Sequence, residues 1–225
     1  MKENLEVWEK IFKNKEWGKY PPIPLVRFIA TNYYSAPERS KVNILELGSG
    51  TGANLWYLAR EGFKIFGIEY SDSGIKKTYQ RLISEGLSQS IGEIICGDYL
   101  DKIDIFHDNF FDAIIDIESL YCNSFEKVKA IINKCVKKLK QGGRIFSMHF
   151  ADGTWGMSGE EEDYHMLCPT EGPLQGFGLQ RYTTKDDIFK LFETGNTEIE
   201  FIHREDYYYS DKYAIKQWII SVKKA

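Results

Sequence analysis

The sequence predicts an α/β fold built on an open, mostly parallel sheet with helices on both faces. Short apolar runs alternate with segments of helical periodicity between residues 42 and 150, which is the pattern of successive strand–helix–strand units. A turn with three alternating glycines follows the first run, at residues 48–52. The run at 111–117 is almost wholly apolar, as central parallel strands are.

The first 40 residues are predicted to form a helical cap ahead of the sheet. Leu5, Trp8 and Phe12 lie near helical spacing. The prolines of segment 21–24 stop that helix, because proline removes a backbone donor and restricts the residue before it. A second helix is predicted over 25–33.

The central part of the chain alternates strands and helices. Strands are predicted at 42–47, 64–70, 93–96, 111–117 and 144–150. Helices are predicted at 53–61, from the capping residues Ser71-Asp72-Ser73 to about residue 86, and from Ser124 to Gly142-Gly143.

The last third of the chain begins with an irregular stretch. Residues 151–182 hold six glycines and few periodic apolar residues, and a segment of this kind in a compact domain is usually functional. Thr184 is predicted to cap a helix over 186–193, and two final strands follow at 198–205 and 214–223. The tyrosines at 207–209 are expected in the connection between those strands.

We expect one domain over residues 1–225. Its parts are a helical cap and cofactor lid at 1–40, a cofactor-binding core at 41–150, an acceptor-site insertion at 151–182, and a closing helix and strand pair at 183–225.

Composition excludes several classes of function. A net charge of -4 argues against a nucleic-acid partner, which usually requires a basic patch. No apolar run approaches the ~20 residues that a membrane-spanning helix needs. The four cysteines form no C-x-x-C pair, and no histidine lies at metal-ligand spacing, so we expect reduced thiols and no metal. The chain is expected to be a cytoplasmic monomer or homodimer that acts on a small molecule.

The candidate cofactor residues follow the ends of successive strands. Glu46 precedes the glycine turn, Glu69 ends the second strand 21 residues after Gly48, Asp98 follows the third strand and Asp116 lies near the end of the fourth. Ligands of open α/β sheets bind at this edge, and an acid after the second strand can accept hydrogen bonds from ribose hydroxyls. The predicted set at the strand ends is Glu46, Gly48, Ser49, Gly50, Gly52, Glu69, Tyr70, Asp98, Tyr99, Asp116 and Ile117.

This succession of motifs resembles the class I S-adenosylmethionine-dependent methyltransferases. The matching positions are Glu46-x-Gly48-x-Gly50-x-Gly52, Glu69, Asp98, Phe111-Asp112-x-x-x-Asp116 and Leu139-Lys140-x-Gly142-Gly143. The resemblance implies a Rossmann-like, doubly wound sheet of seven strands in the order 3-2-1-4-5-7-6, with the last strand antiparallel. It also implies that the glycine turn holds the methionyl group, Glu69 the ribose and Asp98 the adenine. The product would be S-adenosylhomocysteine.

Two finer features of the resemblance concern the periphery of the site. The lead-in with Trp17 and Tyr20 is similar to a helical cap that covers the cofactor. Together with Gly176-x-Gly178-x-x-Arg181, it resembles bacterial methyltransferases of surface-polysaccharide pathways. The acceptor implied is an oxygen or nitrogen atom of a small molecule, such as a saccharide or a phosphorylated precursor.

Other interpretations of the same motifs remain open from the sequence. Gly48-x-Gly50-x-x-Ala53 also satisfies the dinucleotide pattern, and Glu69 would serve a nicotinamide ribose equally well. A nicotinamide-dependent oxidoreductase or a non-catalytic cofactor-binding protein is therefore the alternative. Asp98 and Asp116 are also common turn residues, and Glu118 is an acid that favours a helix start without any function.

The candidate catalytic residues are His149, Glu118 and Tyr121. His149 ends the fifth strand at the ligand-binding edge, and its side chain titrates near neutrality, so it is the preferred base; a histidine hydrogen-bonded within the sheet is the alternative. The candidate acceptor-binding residues are Tyr20, His149, His165, Arg181 and Tyr208. Arg181 suits a phosphate or carboxylate, whereas the tyrosines at 207–209 could equally pack against the sheet edge.

Overall fold

A computed structural model of the chain describes residues 2–225, with side chains from residue 5 onward. One seven-stranded sheet forms its centre. Its strands are β1 Asn43–Leu47, β2 Lys64–Glu69, β3 Ile91–Cys96, β4 Phe111–Ile117, β5 Leu139–Phe150, β8 Thr197–Tyr208 and β9 Ala214–Lys224. They lie in the order β3-β2-β1-β4-β5-β9-β8. Strands β1 to β5 pair in parallel, and β9 is antiparallel to both of its neighbours. The predicted sheet order and its antiparallel last strand are confirmed.

Helices cover both faces of the sheet, as the alternating pattern predicts. They are α1 Lys2–Asn14, α2 Ile23–Tyr33, α3 Ala53–Arg60, α4 Asp72–Ser84, α5 Tyr99–Lys102, α6 Phe125–Lys138 and α7 Lys185–Phe192. Apolar residues of α2, α3 and α4 form one core cluster with one face of the sheet, and those of α6 and α7 form another with the opposite face. Burial of these two apolar clusters against the sheet is the main contribution that holds the layers together.

The start of α4 anchors the N-terminal helix. The Glu9 carboxylate of α1 accepts hydrogen bonds from Ser71 Oγ at 2.5 Å, from Ser73 Oγ at 2.6 Å and from the Ser73 backbone N–H at 3.2 Å. These bonds lower the pKa of Glu9, against the opposing effect of its partial burial. A carboxylate at a helix N-terminus is also favoured by the helix dipole. The contact fixes α1 beside the glycine turn.

The boundary between α6 and β5 differs from the sequence prediction. The helix ends at Lys138 rather than at Gly142-Gly143, and the strand already begins at Leu139, which pairs with Phe111. Lys140 of this strand forms an ion pair with Asp112 of β4 at 2.7 Å. The two glycines therefore lie within a strand that contains a register irregularity, and they do not cap the helix.

The last two strands are longer than predicted. Strand β8 continues to Tyr208, so Tyr207 and Tyr208 pair with Ile215 and Ala214 of β9 and do not lie in the connection. The tyrosine side chains still point to solvent, since both are more than 60% exposed.

The segment 151–182 builds a small apolar cluster of its own. It contains a two-stranded sheet, β6 Met166–Leu167 and β7 Gln180–Arg181, within otherwise irregular chain. Its apolar side chains pack with Tyr121 and Phe150, which follow β4 and end β5. The segment therefore lies against the carboxyl edge of the sheet. Among residues 2–225, no helix is long and apolar enough to cross a membrane.

Candidate active site

A cavity of about 780 Å³ opens at the carboxyl ends of the parallel strands, where the strand order reverses between β1 and β4. The predicted residues that line it are Trp17, Tyr20, Glu46, Gly48, Ser49, Gly50, Glu69, Tyr70, Asp98, Tyr99, Ile117, Glu118 and Tyr121. The predicted residues that do not line it are Gly52, Asp116, His149, His165, Arg181 and Tyr208. The cavity thus unites most of the predicted cofactor residues with two of the predicted catalytic residues.

The glycine turn brings the backbone close to the cavity. Gly48 and Gly50 have φ values of 70° and 52°, which favour glycine. A Cβ atom on Gly48 would lie 1.9 Å from Ser119 Oγ, so no larger residue fits there. Gly52 differs, because a Cβ atom there would meet the Thr78 side chain at 2.5 Å. Gly52 packs closely between α3 and α4, and its predicted cofactor role stays a prediction.

Glu69 holds the turn from the neighbouring strand. Its Oε2 accepts a hydrogen bond from the Gly50 N–H at 2.7 Å, and its Oε1 accepts one from the Ser71 N–H at 2.8 Å. Burial raises the pKa of Glu69, while these backbone donors favour the carboxylate. Each oxygen keeps a further lone pair that can accept a bond from a ligand hydroxyl.

The floor of the cavity holds three buried polar atoms that have no hydrogen-bond partner among the described residues. They are Glu46 Oε2, Ser49 Oγ and Asn54 Oδ1. The other Glu46 oxygen accepts a bond from Asn54 Nδ2 at 2.6 Å. Burial raises the pKa of Glu46 to about 8, and the Asn54 bond offsets only part of this effect. Buried polar atoms are rarely left unpaired, so a ligand with several N–H or O–H donors fits this floor.

The far end of the cavity lies after β3. Asp98 caps α5 through the Leu100 N–H at 2.9 Å, and its Oδ2 forms an ion pair with Lys127 at 2.5 Å. Tyr99 forms a hydrogen bond with Ser119 at 2.5 Å across the cavity wall. Asp98 therefore combines the capping role with a position at the cavity, where its carboxylate remains partly exposed.

Asp116 supports the loop after β4 from below. Its Oδ1 accepts bonds from the backbone N–H groups of Ser119 and Leu120 at 3.0 and 2.9 Å. Its Oδ2 accepts a bond from Ser147 Oγ at 2.6 Å and lies 3.1 Å from His149 Nε2. Asp116 lies beneath this loop and does not line the cavity, so it supports the loop, and its predicted cofactor contact stays a prediction.

Glu118 and Tyr121 face the cavity from the same loop. Glu118 has φ 54°, an unusual value for a residue with a side chain, and accepts a hydrogen bond from Gln217 of β9. Burial, reinforced by Asp116 and opposed by the Gln217 bond, raises the pKa of Glu118 to about 7. Tyr121 packs edge-on against Phe150 at 4.8 Å, and burial raises the pKa of its phenol well above the usual value.

Known proteins share this arrangement of strands and turns. A solved S-adenosylmethionine-dependent methyltransferase of Methanosarcina mazei superposes with a TM-score of 0.65 at 20% identity, covering 81% of this chain and 92% of that one. Phosphoethanolamine N-methyltransferase 1 of Triticum aestivum is 31% identical over 110 residues, which are 49% of this chain and 22% of that protein. The Zea mays protein of the same name is 27% identical over 164 residues, covering 72% and 29%. The chain thus spans less than a third of the length of the curated relatives it matches.

The family model of a methyltransferase domain matches residues 44–143. That range runs from β1 into β5 and includes the glycine turn, Glu69 and Asp98. The matched residues form a methyltransferase domain of the class I S-adenosylmethionine-dependent type. The cofactor of this family is S-adenosylmethionine, as the motifs predicted.

The residues of the cavity fit that cofactor. The unpaired Glu46 Oε2 and Ser49 Oγ atoms suit an α-ammonium group, which brings N–H donors and a positive charge. The free lone pairs of Glu69 suit a ribose diol. The exposed part of Asp98 suits an exocyclic amine, because that amine also donates hydrogen bonds.

Aromatic side chains of distant segments form the roof of the cavity. Trp8 and Phe12 of α1 pack with Trp17, and Phe177 of segment 151–182 joins them at 5.5 Å from Trp8 and 5.9 Å from Trp17. The rim carries Tyr20, which is 73% exposed and packs edge-on against a tryptophan of α3. The methyltransferase cavity is therefore covered by both the N-terminal helix and the irregular segment.

His149 does not reach the cavity, which corrects its prediction as the base and as an acceptor contact. The side chain is fully buried, with Nε2 3.1 Å from Asp116 and Nδ1 3.1 Å from Thr183 Oγ1. Burial lowers the pKa of His149 despite the neighbouring carboxylate, so the ring is neutral. Thr183 follows segment 151–182, whose return path along β5 covers the histidine.

We therefore expect His149→Phe to lower stability and leave cofactor binding intact. The ring volume is kept, but buried Asp116 and Thr183 each lose a hydrogen-bond partner, so the free energy of unfolding should fall by about 2–4 kcal/mol. Denaturant unfolding measures this loss, and calorimetry with S-adenosylhomocysteine measures affinity. The matched control is His107→Phe on an exposed loop. Unchanged stability with lost binding would show instead that His149 serves the ligand.

The remaining predicted acceptor residues also lie away from the cavity. Arg181 is fully buried and donates to Thr183 Oγ1 at 3.2 Å. His165 is bonded to Asp187 at 2.8 Å and stacks between two tyrosines. Tyr208 is 61% exposed on the outer strand pair. None of the three lines the cavity: Arg181 packs in the interior, His165 is hydrogen-bonded to Asp187, and Tyr208 lies on the surface.

Several cavity residues were missed by the sequence interpretation. They include Asn54, Ser119, Lys127, Phe150, Leu174 and Phe177. The position of Asn54 in the first turn of α3 was a usable signal, because that turn faces the ligand edge. The others depend on contacts between distant segments. No group of three or more His, Cys, Asp and Glu side chains suited to a metal occurs among the described residues.

Proposed function

We propose that the chain transfers a methyl group from S-adenosylmethionine to an oxygen or nitrogen atom of a small molecule. The observation that carries this proposal is the set of unpaired acceptors at Glu46, Ser49 and Asn54, directly beside the glycine turn. A cationic ligand with N–H donors would satisfy them.

In this proposal, different residues of the cavity bind different parts of the cofactor. The turn at Gly48 and Gly50, with Glu46 and Ser49, holds the methionyl group; Glu69 holds the ribose. Asp98, Tyr99, Tyr70 and Ile117 enclose the adenine, and Trp17 and Tyr20 close the opening. The bound cofactor supplies a methyl group on a sulfonium, which is already activated for attack by a lone pair. The chain then has to orient the acceptor and exclude water, which supplies about 7–11 kcal/mol in favourable cases.

The chemical class of the acceptor has two candidates. The name of the plant relatives, phosphoethanolamine N-methyltransferase, supports an amine or a phosphorylated acceptor. The resemblance to enzymes of surface-polysaccharide pathways supports a saccharide or its phosphorylated precursor. A phosphorylated acceptor would need cationic partners, and the lining contributes only Lys127 among the described side chains, already paired with Asp98.

We place this reaction in the cytoplasm, in a monomer or homodimer, with segment 151–182 as the acceptor-binding insertion. The support is the lack of cysteine pairing motifs in the sequence, and the position of Leu174 and Phe177 on the cavity wall.

Calorimetry tests the proposed function directly. We expect S-adenosylhomocysteine to bind with one site per chain in the micromolar range, and NADH to give no heat of binding. The acidic lining opposes the pyrophosphate of NADH, whereas it suits the ammonium group of S-adenosylhomocysteine. Binding of NADH with comparable affinity would replace the proposal by the nicotinamide alternative. Binding of neither ligand at millimolar concentration would refute both.

A further inference from the structure

The acceptor end of the cavity can be located from the strand order. The proposed adenosine residues lie after β2 and β3, on one side of β1. The tips of β4 and β5 lie on the other side, with Glu118, Tyr121 and Phe150. Glu118 is bonded to Gln217 of β9, so its carboxylate is directed away from the adenosine side. This inference rests on the proposed function and concerns that second end.

The wall of the acceptor end is apolar and aromatic. Tyr121, Phe150, Leu174 and Phe177 line it, and they belong to the cluster that segment 151–182 forms against the sheet. Flat apolar groups gain from burial against such a wall. The faces of aromatic rings also attract cations and disfavour anions.

One ionisable carboxyl group stands in this wall without a cationic partner in the described structure. Glu118 accepts a bond from the neutral amide of Gln217, and Lys127 lies at the opposite end of the cavity with Asp98. A phosphate placed here would meet a carboxylate and no guanidinium or ammonium group, which makes an anionic acceptor unfavourable.

The backbone of Glu118 supports a functional role for its side chain. Its φ of 54° lies in the left-handed region, and its N–H donates to Met148 O at 3.1 Å. Such conformations cost energy and persist mainly where the surrounding structure and function require them. The pKa of Glu118 is raised to about 7, so the group can exchange a proton near neutral pH.

We propose that the acceptor is an amine on a flat apolar group, bound as its ammonium ion with Glu118 as the carboxylate that recognises it and takes its proton. One N–H bond of the ammonium breaks, its proton moves to a Glu118 oxygen and its electrons stay on nitrogen as a lone pair. That lone pair forms the new C–N bond to the methyl carbon while the C–S bond breaks and its electrons pass to sulfur. Glu118 is then a catalytic residue.

Three probes of similar size, one cationic, one neutral and one anionic, test this inference by binding alone. Phenethylamine, 2-phenylethanol and phenyl phosphate are titrated by calorimetry into the protein saturated with S-adenosylhomocysteine. We expect phenethylamine to bind about tenfold more tightly than the alcohol, since an ion pair with hydrogen bonds adds this much, and phenyl phosphate to bind least. Equal or tighter binding of phenyl phosphate, or no binding of phenethylamine at millimolar concentration, overturns the inference.

The variant Glu118→Gln isolates the carboxylate. It keeps the side-chain shape and a partner for Gln217, so we expect phenethylamine affinity to fall about tenfold and 2-phenylethanol affinity to change less than twofold. The control is Glu93→Gln on exposed β3. The melting temperature and S-adenosylhomocysteine affinity report on folding and cofactor binding. If S-adenosylhomocysteine fails to bind the parent protein, the proposed function fails; if it binds and Glu118→Gln leaves phenethylamine affinity unchanged, only the amine inference fails.

Discussion

Glu69→Gln is expected to lower affinity for S-adenosylhomocysteine about 100-fold and the free energy of unfolding by about 1–3 kcal/mol. The carboxylate accepts one backbone N–H on each oxygen, from Gly50 and from Ser71. A glutamine offers one acceptor oxygen and one donor nitrogen, so one of these N–H groups would face another donor. The glycine turn and the start of α4 cannot both keep their bonds, and the proposed ribose contact is lost as well.

Two measurements check this result. Denaturant unfolding gives the stability change, and calorimetry gives the affinity. Glu93→Gln, the same substitution on the exposed part of β3, serves as the control and should change neither quantity by more than about 0.5 kcal/mol. If Glu69→Gln bound the ligand as tightly as the parent chain, the central place of this carboxylate in the cofactor site would be wrong.

Much of the fold could be predicted because it depends on local patterns. The apolar runs that form β1, β2 and β4 are short and bounded by turn residues, and the strand order follows from the resemblance that their end motifs carry. Residues at the tips of parallel strands share one edge, so Glu46 and Glu69 were brought to one cavity by topology alone.

Predictions failed where a distant segment decides the environment of a side chain. His149 occupies a strand tip, as expected, but Thr183 and Asp116 enclose it, and neither contact is visible in the local sequence. Arg181 was interpreted as an anion-binding residue, yet the return of the chain toward α7 buries it. Periodicity predicts which residues form a strand; it does not predict which later segment covers them.

The sequence also does not show which acceptor atoms at the cavity floor have hydrogen-bond partners. Glu46 was predicted as a cofactor residue, but nothing local shows that one of its oxygens is bonded to Asn54 while the other has no partner among the described residues. That imbalance separates two kinds of buried acid at this site. Glu69 is satisfied by backbone donors of the protein, whereas Glu46 still requires a donor.

Glu46→Gln is therefore expected to have the opposite effect on stability to Glu69→Gln while also weakening the cofactor. The variant keeps an oxygen that accepts the bond from Asn54 Nδ2, and it removes a buried carboxyl group whose ionisation burial opposes. The free energy of unfolding should rise by about 1 kcal/mol at pH 8, and S-adenosylhomocysteine affinity should fall about tenfold because the charge opposite its ammonium group is lost.

The pH dependence of the free energy of unfolding and of S-adenosylhomocysteine affinity decides whether Glu46 causes these two effects. Its pKa of about 8 in the folded chain lies above the unfolded value, so stability is lost as pH rises from about 4.5 through about 8, and Glu46→Gln should remove this part of the loss. Ligand binding should instead strengthen as pH rises toward about 8, because the ammonium group needs the ionised carboxylate. We expect that rise in calorimetric affinity in the parent chain and its absence in Glu46→Gln. If Glu46→Gln kept the same pH dependence of affinity, Glu46 would not be the group that binds the ammonium, because this substitution removes only that carboxyl group.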